Sequence, residues 1–335
     1  MQVTVRGDGI AARCCARLLE GAGLGVTMDF SERAKIPAIM IGATTQGLFA
    51  DAFGRPDLFE DARPIAKRIV AWGADAPPRT IPHDAVVASE RGLLARLPAP
   101  AAVSAPDGAS DWSIFASDPP PACEIHSFGD RTAQAVEVRL NRDADRSACW
   151  VESLSEGWLF LIPGPGEPGW LLAVGGEHAA MLDASRLVRA QICATGPAAE
   201  FPAHPRIAWP LCAPGWVACG SGALAFDPLC GDGAGNAVRE AILAGAVVRA
   251  AGRGEPLPDL MAHYRARLLA ALQRHLDVCA EFYRTGGDGP WWRAQLEAIR
   301  EGRAWCAREL RDGLPARYQL RGFDLQPIPR PRAVF

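Results

Sequence analysis

The stretch Val3-Thr4-Val5-Arg6-Gly7-Asp8-Gly9-Ile10-Ala11-Ala12, followed by Gly25-Val26-Thr27-Met28-Asp29, decides the fold. Val3 and Val5 alternate with polar neighbours, which predicts a strand. Ala16, Leu19 and Gly23 then fall at helical spacing, and a second strand ends on an acid. A strand, a glycine turn, a helix, a strand and an acid have the order of a dinucleotide-binding unit. Gly7 permits the tight turn, and Gly9 lets the backbone approach a pyrophosphate. Ala12 takes the third small position, where the helix packs on the strand. The helix N-terminus turns its partial positive charge toward the phosphates. Asp29 is placed to accept hydrogen bonds from ribose hydroxyls. The pattern alone does not separate FAD from NAD, and its alternative is a βαβ unit with an incidental glycine turn.

A second glycine-rich segment lies some 200 residues on. Trp216-Val217-Ala218-Cys219 predicts a strand ending at Gly220, and Asp227-Pro228-Leu229 predicts a turn. Gly231, Gly233 and Gly235, with Ala234 between the last two, would bring backbone N–H groups close to a ligand before an Ala-rich helix. A flavin ring needs such a loop, because its N1–C2=O edge becomes anionic on reduction. Asp232 sits inside the segment, either to tune a flavin or to cap the helix. The other reading is a glycine turn that only packs closely.

Together the two segments resemble the FAD-dependent aromatic hydroxylase superfamily, which includes flavin-dependent halogenases. The resemblance implies an α/β chain: a Rossmann-like FAD-binding domain (GR2-type flavoprotein monooxygenase) with an inserted substrate-side β-sheet and C-terminal helices. It implies FAD contacts at Gly7, Gly9, Ala12, Asp29, Ser221, Asp227, Gly231, Asp232, Gly233, Ala234 and Gly235. Ser221 stands where the family carries an Asp on the ribityl chain. Gly235 stands where it carries an Asn, and Asn236 follows one place later. Gly157-Trp158-Leu159-Phe160-Leu161-Ile162-Pro163 is similar to the GWxWxIP stretch of halogenases, with Phe160 at the second Trp. Trp158 and Phe160 are therefore substrate-side candidates, the alternative being an ordinary buried aromatic strand.

Halogenation in that family needs a lysine between flavin and substrate. With Trp72 lined up on the family's Trp, Pro64 takes the lysine's place and Lys67 lies three residues off. Cys230-Gly231-Asp232-Gly233 stands where halogenases carry their halide-contacting Ser-Thr. The chain lacks both features of halogen transfer.

Other stretches resemble a narrower group, the flavoproteins that oxidise a protein tryptophan during quinone-cofactor biogenesis. They include Lys67-Arg68-Ile69-Val70-Ala71-Trp72-Gly73, Pro82-His83, Ser89 to Leu97, Cys279 to Arg284, Trp291-Trp292 and Leu320 to Leu325. Their order along the chain carries the likeness. It implies hydroxylation of an indole by flavin and oxygen, on a small aromatic or on a tryptophan of a partner protein. Alternatives are a flavin-dependent reductase or dehydrogenase of the same fold, and a non-catalytic binding module. No separate nicotinamide fingerprint is visible, so electrons are expected from a flavin reductase or from direct nicotinamide contact. His83 is the candidate catalytic side chain, since an imidazole titrates near neutrality; the other reading is a satisfied loop residue.

The remaining sequence bounds these readings. The 335 residues are 49% hydrophobic and 22% charged, which excludes a disordered chain. A net charge of −3 argues against nucleic acid as partner. Only Lys35 and Lys67 are lysines, so a mechanism that needs one has two candidates. No cysteine spacing suggests a metal site. Arg6, Asp8, Arg13 and Arg17 exclude a signal-peptide core, and no window suits a membrane helix, so a cytoplasmic protein is expected.

The expected organisation is 1–100 and 200–256 for the FAD-binding domain, 123–199 for the substrate sheet, and 257–335 for C-terminal helices and an extended tail. Residues 98–122, rich in Pro, Ala, Ser and Asp, read as a connection rather than core. Leu260 to Tyr283 keeps helical spacing, with Pro258 in the first turn and Gly286 at the end. Trp291, Trp292 and Trp305 are candidates for a partner surface or for packing.

Overall fold

The structure is a computed structural model that describes residues 1–31, 33–98, 110–230, 232–311 and 317–328. Its first half runs β1 (Gln2–Arg6), α1 (Ile10–Glu20), β2 (Gly25–Asp29), β3 (Ile39–Gly42), α2 (Ala43–Phe53), β4 (Arg63–Ala71), β5 (Arg79–Ala88), α3 (Glu90–Arg96), β6 (Trp112–Phe115), β7 (Glu124–Ser127), β8 (Thr132–Leu140) and β9 (Ala148–Leu154). There follow β10 (Gly157–Pro163), β11 (Gly169–Val174), α4 (His178–Ala184), β12 (Ile192–Pro202), β13 (Arg206–Trp209), β14 (Cys212–Ala213), β15 (Trp216–Ala218) and β16 (Leu224–Ala225). The chain ends in α5 (Gly233–Gly252), α6 (Leu257–Gly286), α7 (Pro290–Arg311), β17 (Tyr318–Arg321) and β18 (Asp324–Pro327).

Two sheets organise the molecule. The first has the order β14-β15-β6-β1-β2, with β2, β1, β6 and β15 parallel. Val3 and Val5 are fully buried in its centre, on the one strand face that alternation puts together, while Thr4 between them is only partly buried. Helix α1 turns Ala11, Ala12, Cys15 and Leu19 inward and packs on α5. The second sheet has eight strands in the order β12-β8-β11-β10-β9-β4-β5-β3. Strands β8 to β11 run antiparallel to their neighbours within residues 132–174 of this sheet.

Two expectations are corrected. The segment 1–100, expected in the FAD-binding domain, is shared between the sheets: β3, β4 and β5 belong to the large sheet, where β4 pairs in parallel with β9 of the expected substrate sheet. The segment 98–122 is not merely a connection either. Its residues 99–109 lie outside the described residues, but Trp112 to Phe115 form β6, paired to β1 on one side and to β15 on the other. Trp112 and Ile114 are buried there. A four-residue strand inside a Pro- and Ser-rich stretch carries too few alternations to stand out.

Helix α6 has the predicted span, with Leu260, Tyr264, Leu268, Leu272, Leu276 and Tyr283 on its buried side. It packs along α7. Trp292 is buried, and Trp291 and Trp305 pack against the same core, so these indoles serve packing. Among the described residues no helix is long and apolar enough to cross a membrane.

Candidate functional site

The glycine turn after β1 has the geometry its sequence requires. Gly7 has φ +127°, and a Cβ there would lie 2.3 Å from Ser117 Oγ, so no other residue fits. Its N–H donates to the Asp29 carbonyl at 2.8 Å. Gly9 is the N-cap of α1 and carries no side chain that could bond the first-turn N–H groups. Ala12 is fully buried against the sheet, as the third small position demands. Asp29 ends β2 as expected, but one of its oxygens already accepts from Arg6 Nη1 at 2.8 Å.

Four charged residues that sequence reasoning missed stand around this turn. Asp8, between the two glycines, is paired with Lys35 Nζ and lies 3.8 Å from Arg33 Nε. Arg33 Nη1 donates to Glu90 at 3.1 Å, and the other side of the guanidinium fork also reaches that carboxylate. Glu90 is 1% exposed and accepts the Ile36 N–H at 2.9 Å. A Cβ on Gly9 would lie 2.6 Å from Arg33 Nη2, so the guanidinium covers the backbone that the sequence assigns to a pyrophosphate. Ser89-Glu90 was visible as part of a family-like stretch, yet nothing local marks Glu90 as a partner of Arg33, 57 residues away.

The late glycine segment comes to the same sheet. Strand β15 ends beside β6, and the turn at Gly220–Gly222 passes close to Ser117. Ser221 Oγ donates to the Ser117 carbonyl at 2.9 Å. Gly220 has φ +55°, and its N–H donates to Glu240 at 2.8 Å. Glu240 sits on α5 inside the core, and burial pushes its carboxyl up to about 8 against the pull of that N–H. Gly231 lies outside the described residues. Asp232 is the N-cap of α5 but makes no side-chain cap. Its carboxylate instead accepts from Thr45 Oγ1 at 2.8 Å and pairs with Arg239 at 2.6 Å. It thus ties the start of α5 to the first turn of α2. Gly233 and Ala234 open that helix, and Gly235 passes so close to Asp232 that a Cβ would meet its carboxylate at 2.3 Å.

Asp227 and Trp158 are corrected. The Asp227 carboxylate is enclosed, bonded to Arg131 Nε at 3.0 Å, Tyr283 Oη at 2.8 Å and the Leu229 N–H at 2.9 Å. Its lone pairs are committed to protein, which leaves it holding the turn that leads into the glycine segment. Trp158 is 1% exposed, and its indole N–H donates to Tyr283 Oη at 3.3 Å. It belongs to the same internal network. Phe160, two residues on, is only partly buried and packs on the edge of two apolar clusters.

Strand pairing fixes what shares Phe160's face. Phe160 pairs with Val151, and Cys149, two residues back on β9, pairs with Arg68. Paired residues point to one side of a sheet, as do residues two apart on a strand. Arg68 and Phe160 therefore occupy one face, and Lys67, the next residue along, occupies the other. Lys67 pairs there with Asp145 at 2.5 Å. Arg68 Nη2 lies 3.3 Å from His83 Nε2. Burial, then the Arg68 charge, pushes the His83 imidazole below its ordinary range, against a smaller pull from Asp84. A separate cleft of about 580 Å³ opens at the far end of β4, lined by Gly73, Asp75, Glu152, Ser153, Arg186 and Gly287, away from the glycine turns.

Comparison with known proteins agrees with this geometry at the level of the fold. No family model matches the chain, and no curated protein matches its sequence. Solved structures do share the architecture. The flavin-dependent halogenase CmlS superposes with a TM-score of 0.74 at 16% identity, over 91% of this chain and 70% of that one. QhpG, a peptidyl tryptophan dihydroxylase essential for tryptophylquinone cofactor biogenesis, gives 0.69 at 16% identity, over 97% of this chain and 86% of that one. HpxO of Klebsiella pneumoniae, solved as a point variant in complex with FAD, gives 0.58 at 16% identity, over 92% of this chain and 98% of that one. The chain shares its mixed α/β fold with these three proteins.

Proposed function

We propose that this chain is an FAD-dependent monooxygenase that hydroxylates an indole or a related electron-rich aromatic ring. The observation that carries the reading is the meeting of two glycine segments on one parallel sheet. Gly7 to Ala12 open α1, and Gly233 to Gly235 open α5, with Ser117 touching Gly7 and accepting from Ser221.

The residues present fit a dinucleotide. Gly7 makes the tight turn, the Arg33 guanidinium over Gly9 sets a cation at the place assigned to the pyrophosphate, the α1 N-terminus favours an anion, and Arg33 and Lys35 offset the Asp8 carboxylate. Asp29 keeps one oxygen for a ribose hydroxyl, and Ser221 keeps its lone pairs. When bound, FAD supplies the oxygen-activating chemistry. The chain's own part is positioning. Asp232 fixes the α5 N-terminus through Thr45, and the buried Asp227–Arg131–Tyr283 network fixes the turn before it. The face carrying Phe160 supplies an apolar wall that limits water. The likeness to QhpG keeps a peptide-borne tryptophan as one form of the substrate beside a free small aromatic. Halogen transfer is disfavoured, because Lys67 lies on the sheet face opposite Phe160 and Pro64 offers no amine.

Purified protein is titrated with FAD and its visible spectrum recorded. The flavin is then reduced anaerobically, and oxygen is admitted with indole, tryptophan or a tryptophan peptide. Binding at micromolar FAD and a mass gain of one or two oxygen atoms on a target are expected. No FAD binding overturns the flavoenzyme reading. Peroxide formation with every target unmodified overturns hydroxylation of an indole.

A further inference from the structure

The His83–Arg68 pair points to a substrate feature that the fold does not specify. Arg68 lies on the sheet face of Phe160, and it carries a fixed positive charge. Among the described residues no carboxylate forms an ion pair with it, although seventeen other pairs are formed across the molecule. Its Nε is buried without a hydrogen-bond partner. Such a group calls for an explanation. The Arg68 Nη2–His83 Nε2 contact at 3.3 Å has one sense only, since a guanidinium donates and cannot accept. His83 Nε2 is then the acceptor, its proton sits on Nδ1, and its lone pair serves Arg68 rather than a reacting proton.

The surroundings of Arg68 on the same face are apolar apart from His83 and the Cys149 thiol, which also bonds the guanidinium. Ile81 pairs directly with it and is 50% exposed. Cys149 pairs with it on the other side, and Phe160 lies beyond. Lys67, the nearest other cation in sequence, is on the opposite face and paired. One cation with a neutral imidazole matches one negative charge. A phosphate dianion would want more donors, whereas a carboxylate fits a single guanidinium edge.

We propose that Arg68 receives the carboxylate of an aromatic acid whose ring lies toward Phe160, with His83 as the positioning residue that aims the guanidinium. This deepens the monooxygenase reading and rests on it for the reaction, but not for the binding.

The test compares indole-3-acetate with indole-3-acetamide, and benzoate with benzamide, by calorimetric titration of the FAD-loaded protein. The acids are expected to bind at least about tenfold tighter than the amides. Arg68→Met should erase the preference, and Arg68→Lys should keep part of it. His83→Ala should weaken acid binding, while His83→Gln, which still offers an acceptor, should restore it. Melting curves confirm that each variant is folded. Equal affinity for acid and amide in protein carrying FAD, or a preference that survives Arg68→Met, overturns the proposal. Protein that takes up no FAD but loses an acid preference on Arg68→Met upholds the site while removing the assigned reaction.

Discussion

The carboxylate of Asp227 and the guanidinium of Arg131 form an ion pair with no solvent exposure on either side chain. Arg131 also donates to Gln295 at 2.9 Å and stacks 5.0 Å from the centre of the Tyr283 ring. Tyr283 in turn bonds both Asp227 and Trp158. Five separate parts of the chain meet here: the residue before β8, the turn before α5, β10, α6 and α7. Such a network is costly to leave half-satisfied.

Removing one partner of this pair therefore leaves a buried charge uncompensated. Asp227→Ala is expected to destabilise the fold by about 3–5 kcal/mol, measured as a shift in urea unfolding. Tyr283→Phe, which takes the hydroxyl from Asp227 and from the Trp158 N–H but leaves the ion pair, is expected to cost about 1.5–3 kcal/mol. A loss for Asp227→Ala no larger than that of Tyr283→Phe would show that the pair is not the anchor described.

How much of this was legible in the sequence depends on the range of the interaction. The βαβ unit was readable because strand, turn, helix and acid follow one another without a break from Gln2 to Asp29, and Gly7 and Ala12 do there what their positions require. The helix from Leu257 was readable because its apolar spacing is sustained. The membership of β4 in the large sheet was not, since its partner β9 lies some 80 residues on. The role of Asp227 was misread for a similar reason. Its motif is local, but Arg131 is 96 residues upstream and Tyr283 is 56 downstream. Arg68 was quoted only as part of a family-like stretch, because its importance lies in which face of a sheet it shares.

Asp232 is expected to act through Thr45. The Thr45 Oγ1–Asp232 bond at 2.8 Å joins the first turns of α2 and α5. Thr45→Val removes the donor with little change of shape. It should lower stability by about 1–2 kcal/mol, because Thr45 is buried and the carboxylate loses a charge-assisted bond. FAD affinity should fall in the same variant. Unchanged affinity alongside the stability loss would separate Asp232 from cofactor binding.

Lys35 has a predicted consequence that follows from Asp8. A carboxylate inside the glycine turn would repel a diphosphate unless neutralised, and Lys35 and Arg33 are the groups that face it. Lys35→Met should weaken FAD binding by about tenfold or more, read by quenching of flavin fluorescence. Asp8→Asn in the same chain should recover most of that loss, because it removes the repulsion that Lys35 offsets. Equal affinity in wild type and Lys35→Met would mean that the diphosphate does not lie at this turn.

Glu240 sets a pH dependence whose sign is opposite to that of an ordinary surface carboxylate. Its carboxyl titrates near 4.5 in water and is pushed up to about 8 by burial. Between these values the folded state holds a proton that the unfolded chain has released. Stability must then fall as pH rises through this window, by at most about 1.4 kcal/mol per pH unit for one group. Glu240→Gln keeps an acceptor for the Gly220 N–H and cannot ionise, so it removes the slope. Urea midpoints at about pH 5, 6.5 and 8 should show the variant gaining on the wild type at each step. Cys219, raised by its bond to Cys15 and by burial, and Tyr264, raised by burial, titrate higher still and leave this window clear. A gap between the two proteins that stays constant across that range would show that Glu240 is ionised in the folded core, with Gly220 outweighing burial.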